Sequence, residues 1–125
     1  MDGMIDKTQF LTTGRRVISR EADALGLLAE ALDGAFAEAV ALLLDARGRV
    51  IVSGMGKSGH IARKIAATLA STGTPAHFVH PAEASHGDLG MMAQGDVALV
   101  LSNSGSGRLY PALRHSVDRH RRQSR

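Results

Sequence analysis

The chain predicts an α/β domain: a parallel sheet, encoded here to about three strands, preceded by N-terminal helices. Three features of the sequence predict it. Two long helical patterns open the chain, three short β-branched or apolar runs follow at irregular intervals, and each run ends in a segment rich in Gly, Ser or His. Strands that alternate with a helix and a polar crossover pair in parallel with right-handed connections.

The first helix is expected over Asp6 to Leu32, because Phe10, Val17, Ile18, Leu25 and Leu28 recur on one face with Arg and Glu between them. Asp33-Gly34 interrupts it, and an Ala/Leu-rich helix runs from Ala35 to Asp45 before Arg47-Gly48. Val50 to Ser53 is a strand of the fully buried kind. Gly54 to Gly59 reads as a loop, Ile61 to Ser71 as a helix, Gly73-Thr74-Pro75 as a turn and Ala76 to Val79 as the second strand. His80 to Gly90 reads as a loop with one helical turn after Ser85, and Gln94-Gly95-Asp96 turns the chain into a third strand over Val97 to Leu101. Polar residues therefore gather on the carboxyl edge of the sheet, where open α/β sheets bind their ligands.

Composition narrows the function. The 125 residues suit one domain, and with aromatics at 3% the core must be built from Ala, Val, Leu and Ile. There is no Cys, which excludes disulfides and thiolate metal sites. The longest apolar run, Ala39 to Leu44, falls far short of the roughly 20 residues a bilayer span needs, so no membrane association is expected and the cytoplasm is the default location. The net charge of +3 is unevenly spread: residues 1–105 carry nine basic against eleven acidic side chains, and residues 106–125 carry six against one. A slightly acidic body argues against nucleic acid as partner.

Three motifs share the carboxyl edge. In Ser53-Gly54-Met55-Gly56-Lys57-Ser58-Gly59, the glycines allow close approach of a ligand, and the following helix offers free N–H groups to an anion. A Walker A loop is excluded because Ile51 stands where its first Gly belongs. A dinucleotide fingerprint is formally met by Gly54, Gly56 and Gly59, but Val79-His80-Pro81 supplies no acid for a ribose. A small phosphorylated ligand with Lys57 as counter-charge fits better; a tight turn with a solvated Lys is the plain alternative. The second motif runs from His80 to Gly90, with Glu83, His86 and Asp88. It admits metal ligation, acid–base work or simple bracing of a loop. The third, Ser102-Asn103-Ser104-Gly105, forms either a nest for phosphate oxygens or a helix cap.

Taken together, SGMGKSGHIARKIAATLASTGTPAHFVHPAEASHGDLGMM and the later LSNSG resemble the sugar isomerase (SIS) domain of the D-arabinose 5-phosphate isomerase family, most strongly over residues 53–105 and more loosely from about residue 10. The resemblance implies a three-layer, flavodoxin-like parallel sheet. It also implies an aldose–ketose isomerase acting on D-ribulose 5-phosphate and D-arabinose 5-phosphate, on the way to an eight-carbon acid sugar of bacterial envelope lipopolysaccharide. Such chemistry needs a base and oxyanion stabilisation but no redox cofactor. On the same footing Lys57 and His86 are expected to be catalytic. Ser53, Gly73, Thr74, His80, His86, Ser102, Asn103 and Ser104 are expected to contact a phosphorylated pentose, and His80 to be able to hold an inhibitory zinc ion. A homo-oligomer, tetrameric in the family, is implied as well.

The resemblance stops after Gly105. The family carries Glu immediately after this point and again three residues on, where this chain has Ser106 and Leu109. Residues 1–105 thus read as the N-terminal part of a SIS domain, and 106–125 as a divergent basic tail, frameshifted or a natural arm. The second half of the domain and the CBS modules would be missing, and activity of the isolated chain impaired. A non-catalytic phosphosugar-binding module is the alternative function.

Overall fold

The computed structural model describes residues 3–82 and 92–103. They form three helices, α1 (Lys7–Ala31), α2 (Gly34–Leu44) and α3 (Gly56–Ser71), and three strands, β1 (Val50–Gly54), β2 (Ala76–Phe78) and β3 (Val97–Leu101). The expected α/β architecture with a three-stranded parallel sheet is present. The strand order is β2-β1-β3, with both pairings parallel.

Residues up to Val40 form one compact unit. Within it α1 starts at Asp6, whose carboxylate accepts the Thr8 N–H at 3.0 Å and so satisfies a donor of the first turn. The apolar positions that predict this helix, Phe10, Val17, Ile18, Leu25 and Leu28, all remain exposed in the single chain.

The second unit holds the sheet. Register places Val50 beside Ala76 and Val97, and Val52 beside Phe78 and Leu99, so these side chains share one face. Ala62 and Ala66 of α3 pack on that face, with Leu43, Ile65, Leu69 and Leu101 around them. Small alanines let the helix lie close over β1, whose Val50 and Val52 are fully buried. A core of such small side chains is what a chain with few aromatics has to build. The Arg63 guanidinium of α3 sits 4.1 Å from the centre of the Phe78 ring of β2, a cation–π contact between the helix and the strand.

The opposite, amino end of the sheet is tied by Asp96. Its Oδ1 accepts the Arg49 N–H at 2.7 Å, and its Oδ2 accepts the Ala93 N–H at 2.8 Å and the Arg49 guanidinium at 3.3 Å. Gly48 N–H donates to Gly95 O and Val97 N–H to Arg49 O. The entrances to β1 and β3 are therefore locked together. A Cβ at position 48 would run into the Asp96 carboxylate, which explains Gly there.

One boundary differs from expectation. The segment read as a loop, Gly54 to Gly59, is already helical from Gly56. Three glycines hide the helix from a propensity argument, yet each has a mechanical reason. Gly56 has φ +56°, a left-handed conformation that side chains resist. Gly54 and Gly59 face each other across the strand–helix junction: a Cβ at 59 would stand 2.6 Å from Gly54 O, and one at 54 would stand 2.9 Å from the Ser58 carbonyl. The same three residues that satisfy a dinucleotide fingerprint are thus required by the turn itself.

Candidate functional site

Parallel pairing with β1 in the middle brings three strand tips side by side. β1 ends at Gly54 and runs into Met55-Gly56-Lys57, β2 leads through Val79 to His80, and β3 delivers Ser102 and Asn103. Strands lie about 4.8 Å apart, so the row spans roughly 10 Å, the dimension of a small phosphorylated sugar. This is the carboxyl edge expected from sequence, and it gathers Lys57, His80, Ser102 and Asn103 along one line.

The central tip has features that suit an anion. Met55 occupies the N-cap of α3 and no side chain caps the helix. Gly59 N–H turns back to Met55 O at 3.2 Å, which leaves the earlier amides of the first turn without an intrahelical partner. These N–H groups and the positive end of the helix dipole favour a bound negative charge. Lys57 is exposed and makes no hydrogen bond or ion pair among the described residues, so its ammonium is uncommitted.

Ser53 is placed differently from a plain ligand contact. It is buried, and its hydroxyl donates to Val79 O at 2.6 Å, while Val79 N–H donates to Val52 O at 2.9 Å. The serine thereby stitches the ends of β1 and β2 together one residue before His80, fixing how two of the three tips meet.

Gly73 and Thr74 lie elsewhere. They follow the C-terminus of α3, where Gly73 adopts φ +99° and Thr74 N–H closes on Leu69 O at 2.9 Å. With 16 residues in α3, they stand about 24 Å from the Lys57 end of the same chain. One pentose phosphate cannot touch both ends of this helix within one chain.

His80 is exposed, and its Nδ1 accepts the Ala82 N–H at 3.1 Å. Pro81 and Ala82 are helical, so His80 sits at the N-cap of that turn. The arrangement bears on zinc. A metal ligand needs a free imidazole lone pair, and the lone pair on Nδ1 is engaged by the backbone. His80 as placed does not fit zinc, and among the described residues no group of three or more His, Asp or Glu is arranged to hold a metal. His86, Glu83 and Ser104 lie outside the described residues, as does the helical turn expected after Ser85. No described helix is long and apolar enough to cross a membrane.

The sequence also conforms to known proteins. The SIS domain profile matches residues 42–115, extending past Gly105. The chain is 56% identical over 103 residues to the arabinose 5-phosphate isomerase KdsD of Pseudomonas aeruginosa, an alignment covering 82% of this chain and 32% of that protein. It is 57% identical over 95 residues to the arabinose 5-phosphate isomerase GutQ of Shigella flexneri, covering 76% of this chain and 30% of that protein. An Escherichia coli CFT073 structure solved in complex with arabinose 5-phosphate superposes with a TM-score of 0.82 at 40% identity, covering 92% of this chain and 61% of that one. The chain spans about a third of the length of these two curated relatives.

Proposed function

This chain belongs to the SIS-domain family, and from that we propose that it is the phosphosugar-binding part of an aldose–ketose isomerase that interconverts D-ribulose 5-phosphate and D-arabinose 5-phosphate. The observation that carries the proposal is the uncapped N-terminus of α3 at the tip of the central strand, with Lys57 in its first turn and a strand tip on either side. An isomerase of this kind removes a proton from the carbon beside the carbonyl, passes through an enediolate and returns the proton one carbon away. The ligand therefore carries permanent negative charge on its phosphate and transient negative charge on a carbonyl oxygen. Amides of the α3 first turn, with Ser102, Asn103 and Ser104, suit the first. The Lys57 ammonium, uncommitted beside the strand tips, suits the second as the positive charge that meets the developing oxyanion.

No redox cofactor enters this chemistry, and the base is assigned to His86 or Glu83. His80 contacts the sugar, Ser53 sets the backbone beneath it, and Gly73 with Thr74 joins the ligand from a second copy of the chain, since α3 separates that turn from Lys57 within one copy. The exposed apolar face of α1 supports a homo-oligomer in the same sense. The product supplies envelope lipopolysaccharide synthesis from the cytoplasm. A second function, a SIS module that binds the phosphosugar without turning it over, is favoured by the strand tips themselves, whose described residues offer amides, hydroxyls and a lysine but no carboxylate.

A coupled assay on the purified chain separates the two. Appearance of arabinose 5-phosphate from ribulose 5-phosphate is the expected result. Thermal stabilisation by either pentose phosphate without turnover assigns the binding module, and stabilisation by NAD alone overturns both in favour of a dinucleotide fold.

A further inference from the structure

We infer that His80 is a positioning residue whose tautomer is fixed by its own backbone, so that it meets a ligand as a hydrogen-bond donor, and that zinc and the turn it caps exclude each other. The inference rests on the phosphosugar reading only for the identity of the ligand; the cap and the exclusion stand on geometry alone.

Pro81 has no N–H, so Ala82 brings the first amide of the turn that needs an acceptor, and the His80 ring provides it at 3.1 Å. A neutral imidazole has one N–H and one lone pair. With the lone pair of Nδ1 occupied, the proton resides on Nε2, the nitrogen not used by the backbone. Sugar hydroxyls and phosphates offer oxygen acceptors to such a donor. Zinc requires the opposite. Bound at Nδ1, it displaces the Ala82 amide directly. Bound at Nε2, it leaves the ring proton on Nδ1, where two donors then face each other. Either mode breaks the cap, so a zinc ion held by His80 acts on this chain by releasing the turn at Pro81–Ala82.

The test combines ring ¹⁵N shifts of His80 with amide hydrogen exchange at Ala82 in the whole chain, using zinc sulfate alone as the probe. The expected spectrum shows Nε2 protonated and Nδ1 not. His80→Ala should speed Ala82 exchange by about tenfold, the scale of a lost cap. His80→Asn places an amide oxygen close to where Nδ1 was and should restore protection to within about twofold. Zinc should speed Ala82 exchange in the parent chain and leave the Asn variant unchanged; zinc that leaves the parent's ring signals and Ala82 exchange as they were contradicts the release of the turn. A ring protonated on Nδ1, or zinc that shifts the ring while Ala82 exchange stays the same or slows, overturns the inference. Neither readout depends on turnover, so a chain that fails as an isomerase leaves this result independently readable.

Discussion

Lys57→Ala is expected to lower kcat/KM for pentose phosphate isomerisation by two to three orders of magnitude, the range seen when one donor to a developing oxyanion is removed. The side chain projects from the first turn of α3 into solvent beside the strand tips, and nothing among the described residues holds it elsewhere. Its loss therefore removes a charge without opening the core, and the thermal midpoint should barely move. Lys57→Arg should recover only part of the rate, because a planar guanidinium keeps the charge but not the compact ammonium. Lys64→Ala, an exposed lysine further along the same helix, should leave the rate unchanged. Steady-state kinetics on the three variants checks this. Equal losses from Lys57 and Lys64 would reduce the role of Lys57 to general surface charge.

Asp96→Ala should cost about 3 kcal/mol of folding free energy, a large share of what a small domain possesses. The carboxylate is 2% exposed and receives two backbone amides and a guanidinium at the entrances to β1 and β3. Removing it takes the shared acceptor from both amides and the guanidinium and unlocks two of the three strands at once. Burial works to raise its pKa. The amides of Arg49 and Ala93 and the Arg49 charge outweigh that and hold the group below its ordinary 3.8. The direction sets the pH dependence. Because the folded value lies below the unfolded one, Asp96 contributes its full stabilisation above the ordinary value near 3.8 and loses it as pH falls through the lowered folded value. Urea unfolding followed by circular dichroism should show the parent chain weakening below about pH 4, with a shallower acid limb in Asp96→Asn. Identical acid limbs in both proteins would remove Asp96 from the account.

These two residues show what the sequence discloses and what it withholds. The apolar runs over Val50, Ala76 and Val97 announce three strands because β-branched and apolar clusters bounded by turn residues have few other uses. The periodicity of Phe10, Val17, Ile18, Leu25 and Leu28 likewise locates α1 to within a residue or two. The start of α3 is hidden, since Gly56 and Gly59 serve left-handed backbone and close approach, both tertiary requirements that propensity reads as loop. Asp96 reads as an ordinary turn residue, because its partner Arg49 lies 47 positions away and only the fold brings them together. Ser53 is legible as part of the site, but not its tie to Val79 O, which depends on β2 lying beside β1. The distance between Lys57 and Thr74 is also a property of the finished helix; both appear in one continuous motif, yet α3 carries them to opposite ends.

Titration calorimetry with arabinose 5-phosphate against inorganic phosphate tests the account at its centre. A pentose phosphate spanning the three strand tips should bind the purified chain at least about tenfold more tightly than inorganic phosphate, which fills only the helix N-terminus, and a tenfold gap is about 1.4 kcal/mol. Equal affinity for the two would mean that the edge recognises an anion and nothing of the sugar.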